Sequence, residues 1–110
     1  MSTLDAFFDE PDDPMVNEIQ TLSEKIRQRR IQMLVHSYLY YQMDESIIDD
    51  HKWQQWADEL VELQKQKMII GFYDEAFHDW TGASGAFLPF DKWVKERAKK
   101  LLHYNQIDAI

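Results

Sequence analysis

The chain has no cysteine, three glycines and three prolines among its 110 residues, and it sets only twelve Lys and Arg against twenty Asp and Glu. The first absence excludes disulfides, zinc–thiolate centres and thiol catalysis, and it suits a reducing compartment. No apolar run approaches the ~20 residues of a membrane span. The first fourteen residues are acidic where a secretory signal or transit peptide is basic, so neither is expected there. With a formal net charge of −8, attraction to phosphates through bulk charge is disfavoured, and neither nucleic acid nor a membrane is an expected partner. The expected location is the cytoplasm. Sustained alternation of period two is missing, as are Asn-Gly and Asp-Gly hairpin signals, so strands have no support. What remains is 45% hydrophobic, with four Trp, five Tyr and six Phe. That is ample for one core in a chain of single-domain size.

The negative charge is blocked. Asp5, Asp9, Glu10, Asp12 and Asp13 stand in the first fourteen residues without a base, together with Leu4, Phe7 and Phe8. Residues 1–13 therefore read as an acidic tail, either disordered alone or frayed with its two Phe against the domain. Residues 14–110 read as a single all-α domain. Asp13-Pro14 suits a helix start, and Val16, Ile19, Leu22, Ile26, Met33 and Leu34 supply an apolar stripe that predicts a helix to about Tyr41. A turn at Asp44-Glu45-Ser46 leads to Asp49-Asp50, which suit a second helix start. Trp53, Trp56, Ala57, Leu60 and Leu63 continue that helix, and the two stripes predict an antiparallel hairpin over 18–41 and 50–66. Phe72, Tyr73, Ala76, Phe77 and Trp80 predict a short aromatic helix. After a loop at Thr81–Gly85, Asp91 is placed to cap a last helix in which Trp93, Val94, Ala98, Leu101 and Leu102 face inward.

Residues 36–64 read HSYLYYQMDESIIDDHKWQQWADELVELQ. In this run His36, Tyr38, Tyr40, Met43, Asp44, Ile48, Asp50, Glu59, Leu60, Glu62 and Leu63 keep the order and spacing of the N-terminal Ia domain of NAD-dependent DNA ligases. Residues 18–66 resemble that domain. The resemblance implies a helical hairpin that grips the nicotinamide mononucleotide half of NAD without performing the nucleotidyl chemistry. The gripping positions fall on Tyr40, Tyr41, Asp50, Trp53 and Gln54. Tyr40 and Asp50 match the family residues. Tyr41 stands for a His, Trp53 for a Tyr and Gln54 for an Asp, so the stacking surfaces survive better than the charged groups. The Lys-x-Asp-Gly adenylation motif is missing, and the chain is no ligase. The C-terminal half has no counterpart in the Ia domain and is similar to small ligase-like proteins of bacteriophages, which implies the cytoplasm of a host cell.

Three other constellations carry less. Asp74 and His78 share a helix face, but three convergent ligands are wanted for a catalytic zinc, and no metal or other cofactor is expected. Gly82-Ala83-Ser84-Gly85-Ala86 has the outline of a nucleophile elbow without the preceding strand, and reads as a plain turn. Lys25, Arg27, Arg29 and Arg30 form a basic stretch whose expected partners are Asp58, Glu59 or Glu62 within the fold. With no nucleophile–base pair to assemble, the chain is expected not to be an enzyme. The expected function is that of a non-catalytic acidic interaction protein, phage-encoded if the second resemblance holds. It would bind and inhibit or modulate a protein with a basic nucleic-acid-binding surface, such as a CRISPR nuclease or a replication factor. Asp44, Glu45, Asp49, Asp50, Asp58 and Glu62 would make the contact. The alternative is a nicotinamide-nucleotide-binding module, with Tyr40, Tyr41, Asp50, Trp53 and Gln54 as its site.

Overall fold

Thr21 opens the first described helix. Its hydroxyl accepts from the Glu24 N–H while the Glu24 carboxylate accepts from the Thr21 N–H, a reciprocal capping box. The structure, a computed structural model, describes residues 21–109. These form α1 (Leu22–Gln42), α2 (Asp50–Gln66), α3 (Asp74–Phe77) and α4 (Lys92–Ala109), and among the described residues there is no strand. The fold is all-α. The acidic tail and the helix start expected at Asp13-Pro14 lie outside the described residues.

Helix α1 is the axis of the domain. Every residue from Arg30 to Leu39 is buried, which one apolar stripe does not achieve. Two helices cover it from different sides: both α2 and α4 pack on α1. A helix enclosed on all faces has no solvated side to show, and its sequence loses the amphipathic rhythm. Helix α2 keeps that rhythm, with Trp56, Ala57 and Leu60 buried on one face. The pair runs antiparallel, since Trp53 meets Ser37, Trp56 meets His36 and Gln64 meets Arg30. From α4, Val94 and Ala98 are fully buried, and Leu101 and Leu102 pack at the margin of the core. Asp91 caps α4 by accepting from the Val94 N–H at 3.0 Å, as its position predicts.

Four expectations need correction. The helix expected to run unbroken from Asp13-Pro14 to about Tyr41, with a hairpin arm from residue 18, instead begins at Leu22, because Thr21 is extended (ψ 163°) and caps it. The aromatic helix shrinks to four residues, because Tyr73 adopts a left-handed backbone (φ 55°) and the chain turns tightly again after Phe77. Trp93 does not face inward. It is 36% exposed and lies against Phe72 and Tyr73 at the surface. The basic stretch does turn inward, but only Arg29 finds an expected partner, Glu59, at 3.0 Å. Arg30 is fully buried and reaches past α2's acids to Asp74 at 2.7 Å. Arg27 lies over the Phe72 ring at 4.3 Å.

Arg30 joins four parts of the chain. Its Nε donates to Gln64 Oε1, and its two terminal nitrogens donate to the carbonyls of Phe72 and Met68 and to the Asp74 carboxylate. Asp74 also accepts from the N–H groups of Ile70 and Gly71. These hydrogen bonds, chiefly those from the backbone of Ile70 and the side chain of Arg30, hold the Asp74 carboxyl down at about 2. The segment between α2 and α3 is thus pinned to the middle of α1.

Candidate functional site

The bend between α1 and α2 is built from backbone chemistry that the sequence displays. The Met43 and Glu45 N–H groups both donate to the Leu39 carbonyl, closing α1. Asp44 takes the reversal in left-handed conformation (φ 54°), which Asp tolerates better than most residues. Asp49 then caps α2, accepting from the Lys52 N–H at 2.7 Å. Between these ends opens a cleft of about 200 Å³.

All five residues matched to the ligase grip border this one cleft: Tyr40 and Tyr41 from the end of α1, and Asp50, Trp53 and Gln54 from the first turns of α2. Tyr40 and Tyr41 stand edge to face with ring centres 4.9 Å apart, each about half exposed. Trp53 is half-buried, its Nε1–H donating to Ser37 Oγ at 3.3 Å. The Gln54 side chain is turned aside, with its Nε2 donating to Asp58 Oδ1 and to the Gly82 carbonyl.

Of the six carboxylates expected to meet a partner, Glu45, Asp49 and Asp50 line the same cleft, while Asp44, Asp58 and Glu62 do not. Asp44, Asp49, Asp50, Asp58 and Glu62 are exposed and Glu45 is half-buried. Glu62 pairs with Lys65 at 2.8 Å with both side chains in solvent, an arrangement that contributes little. None of the other five forms an ion pair among the described residues.

Beyond the residues expected to bind, Ser46, Ile47 and Ile48 of the bend line the cleft, and so do two contributors from elsewhere. His36 of α1 lines it while remaining 4% exposed. It packs on the Trp56 ring at 5.5 Å, and burial pushes its pKa down to about 4, so it is neutral near pH 7. Neither ring nitrogen hydrogen-bonds a described residue. No buried polar side-chain atom among those residues is both enclosed and unpaired, so each ring nitrogen keeps a trace of exposure. The space that His36 borders is the cleft.

The second contributor is the loop at Thr81–Gly85, which supplies Ala83 to the wall. It is a turn, as expected, but a docked one. Gly82 (φ 85°) sits against Ala57 and Val61 of α2, and Gly85 lies so close to Ser37 of α1 that a Cβ there would overlap the serine side chain. Trp80 Nε1–H donates to the Ser84 carbonyl at 2.8 Å, and the Ser84 and Tyr41 hydroxyls share a hydrogen bond at 3.1 Å. The loop fixes one Tyr of the cleft and engages its Gln. A sign of this was available in the sequence, where two of three glycines fall within four residues.

Asp74 is engaged by Arg30, and His78 is exposed beside Asp79. Among the described residues no three His, Asp or Glu converge to hold an ion. No helix among them is long and apolar enough to cross a membrane. The chain matches no protein-family model, no curated protein and no solved structure.

Proposed function

We propose that the protein is a non-catalytic binding module that takes the nicotinamide end of a nicotinamide nucleotide in the cleft between α1 and α2. One observation carries this reading: five residues matched to the ligase grip, spread over fifteen positions of sequence, surround a single concave site. Tyr40, Tyr41 and Trp53 offer ring surfaces, Asp50 offers a carboxylate, and His36 offers a neutral polar edge. That combination of apolar walls with a few convergent polar groups is the usual make-up of a small-ligand site. Thermal unfolding with nicotinamide mononucleotide tests it. Ligand at a hundred times its Kd adds about 2.7 kcal/mol, and for a domain of this size ~4–8 °C accompany each kcal/mol. Trp53→Ala should abolish the shift. A melting curve that stays unmoved by millimolar nucleotide would refute the proposal.

A second reading, as an acidic interaction protein that occupies the basic surface of a nucleic-acid enzyme, is favoured by the exposed carboxylates Asp44, Asp49, Asp50 and Asp58, which have no cationic partner among the described residues. Complementary charge acts mainly on the association rate and is screened by salt. Asp44 and Glu62 lie outside the cleft and hydrogen-bond none of its lining side chains, so reversing these two to Lys should slow capture of a basic partner without altering nucleotide binding. A capture rate that is indifferent to both salt and reversal would exclude this reading.

A further inference from the structure

The polar groups bordering the cleft are unbalanced in charge. Glu45, Asp49 and Asp50 stand at its rim, and no Lys or Arg lines it. Lys52, the nearest base in sequence to Asp50 after His51, has its Nζ over the Trp56 ring at 5.4 Å. Residues 1–20 hold no Lys, Arg or His to bring in. Asp49 is engaged as the cap of α2. The Asp50 and Glu45 carboxylates have no partner among the described residues. The lining also includes the aromatic rings of Tyr40, Tyr41 and Trp53, of which the two tyrosines bear hydroxyls, beside Ile47 and Ile48. Aromatic faces beside carboxylates attract a cation by two additive effects, the ring quadrupole and the formal charge. The same groups repel a phosphate.

Size points the same way. Pockets for drug-sized ligands run to ~300–1,000 Å³, and this cleft has about 200 Å³. It has room for one heterocycle and part of a sugar. Among the lining residues His36, 4% exposed and without a hydrogen-bond partner among the described residues, presents a neutral imidazole. That ring offers one N–H and one lone pair, and a carboxamide can meet either.

We infer that the cleft recognises a flat organic monocation, so that among nicotinamide compounds it takes the oxidised pyridinium ring and leaves the phosphate outside. This rests on the proposed ligand class but adds to it a rule of selection. The oxidised ring carries a positive charge at its substituted nitrogen. The reduced dihydropyridine is neutral and electron-rich, and it loses both attractions. The phosphate of the mononucleotide faces three carboxylates and gains nothing from the site.

Calorimetric titration of the full chain at pH 7 tests this with five probes: nicotinamide riboside, its reduced dihydro form, nicotinamide mononucleotide, neutral nicotinamide and N-methylpyridinium. The expected order places the riboside at least equal to the mononucleotide, and the reduced riboside and neutral nicotinamide at least tenfold weaker. Asp50→Asn combined with Glu45→Gln should weaken the riboside about tenfold and shift preference toward the mononucleotide. Equal binding of oxidised and reduced ribosides would overturn the charge rule while the proposed ligand class stands. Binding of N-methylpyridinium without any nicotinamide compound would leave the charge rule standing and overturn the ligand class. Binding of none of the five would overturn both.

Discussion

Replacing Arg30 by Met is the perturbation with the largest effect that the fold foretells. The guanidinium is fully buried and donates to Gln64, to the Met68 and Phe72 carbonyls and to Asp74, all at 2.7–2.8 Å. Methionine fills comparable length with apolar atoms but donates nothing. Removing one member of a buried ion pair costs ~3–5 kcal/mol, because the groups left behind lose both partner and solvent. Here the loss is moderated at Asp74, whose carboxylate keeps the Ile70 and Gly71 N–H groups, and is not moderated at the two carbonyls. We therefore expect about 3–4 kcal/mol, toward the lower end of that range. Against a total of ~5–15 kcal/mol for a domain, the variant should remain folded in the cold and melt at least ~12 °C lower. Urea titration followed by circular dichroism measures the change. Asp74→Asn, which retains an acceptor and discards the charge, should cost less, about 1–3 kcal/mol. If Arg30→Met falls within about 1 kcal/mol of the parent, the scale of a typical hydrogen bond, then the four contacts do not act together and the account of how residues 67–73 are held is wrong.

Other perturbations separate the remaining parts. Gly85→Ala should push the loop away from Ser37 and free the Tyr41 hydroxyl from Ser84, raising tyrosine quenching by acrylamide and lowering ligand affinity while helix content stays. Acidification should act in two stages, read by urea midpoints at successive pH values. His36 has its folded pKa lowered from 6.5 to about 4, so its contribution is whole above pH 6.5 and lost as pH falls toward 4, on the order of 3 kcal/mol in total. Asp74, lowered from 3.8 to about 2, loses its contribution only below that range. At the alkaline end Tyr73 is raised from 10 to about 12, chiefly by burial and then by its hydrogen bond to Asp91. That contribution is whole below pH 10 and disappears as pH rises through 12; Tyr73→Phe should flatten the alkaline limb.

The parts of the fold that were legible in the sequence are those whose cause lies within a few residues. Asp49 and Asp91 cap helices because a carboxylate at that position reaches the N–H three residues on. Helix α2 shows its buried face because only one side of it is covered. Helix α1 hides its role for the converse reason. It is covered by α2, by the Thr81–Gly85 loop on Ser37 and by α4 from far along the chain, so His36, Ser37 and Gln32 are buried beside Leu34 and Val35 with no periodic mark. Arg30 illustrates the same limit, since two of its acceptors are backbone carbonyls of Met68 and Phe72. A carbonyl belongs to every residue and signals nothing. The left-handed turn at Tyr73 is likewise set by tertiary packing, where the aromatic spacing alone argued for a longer helix.

For the candidate site, the sequence pointed to residues that line one cleft but not to which of their polar groups are available. Tyr40, Tyr41, Asp50, Trp53 and Gln54 could be matched by register alone, and they do share a cleft. Which of them has a free hydrogen-bonding group is decided elsewhere. The Gln54 amide nitrogen is occupied by Asp58 and Gly82, Asp49 by the start of its own helix, and Lys52 by the Trp56 ring. The engagements of Gln54 and Lys52 draw off groups that could have met a phosphate or balanced the acids, while Asp49 keeps its negative charge. What is left over, Asp50, Glu45 and the unpaired edge of His36, gives the cleft its sign. The Thr81–Gly85 loop, outside the ligase-like segment, takes part through its hydrogen bonds to Gln54 and Tyr41. The C-terminal half thus sets which polar groups of the hairpin remain available in the cleft.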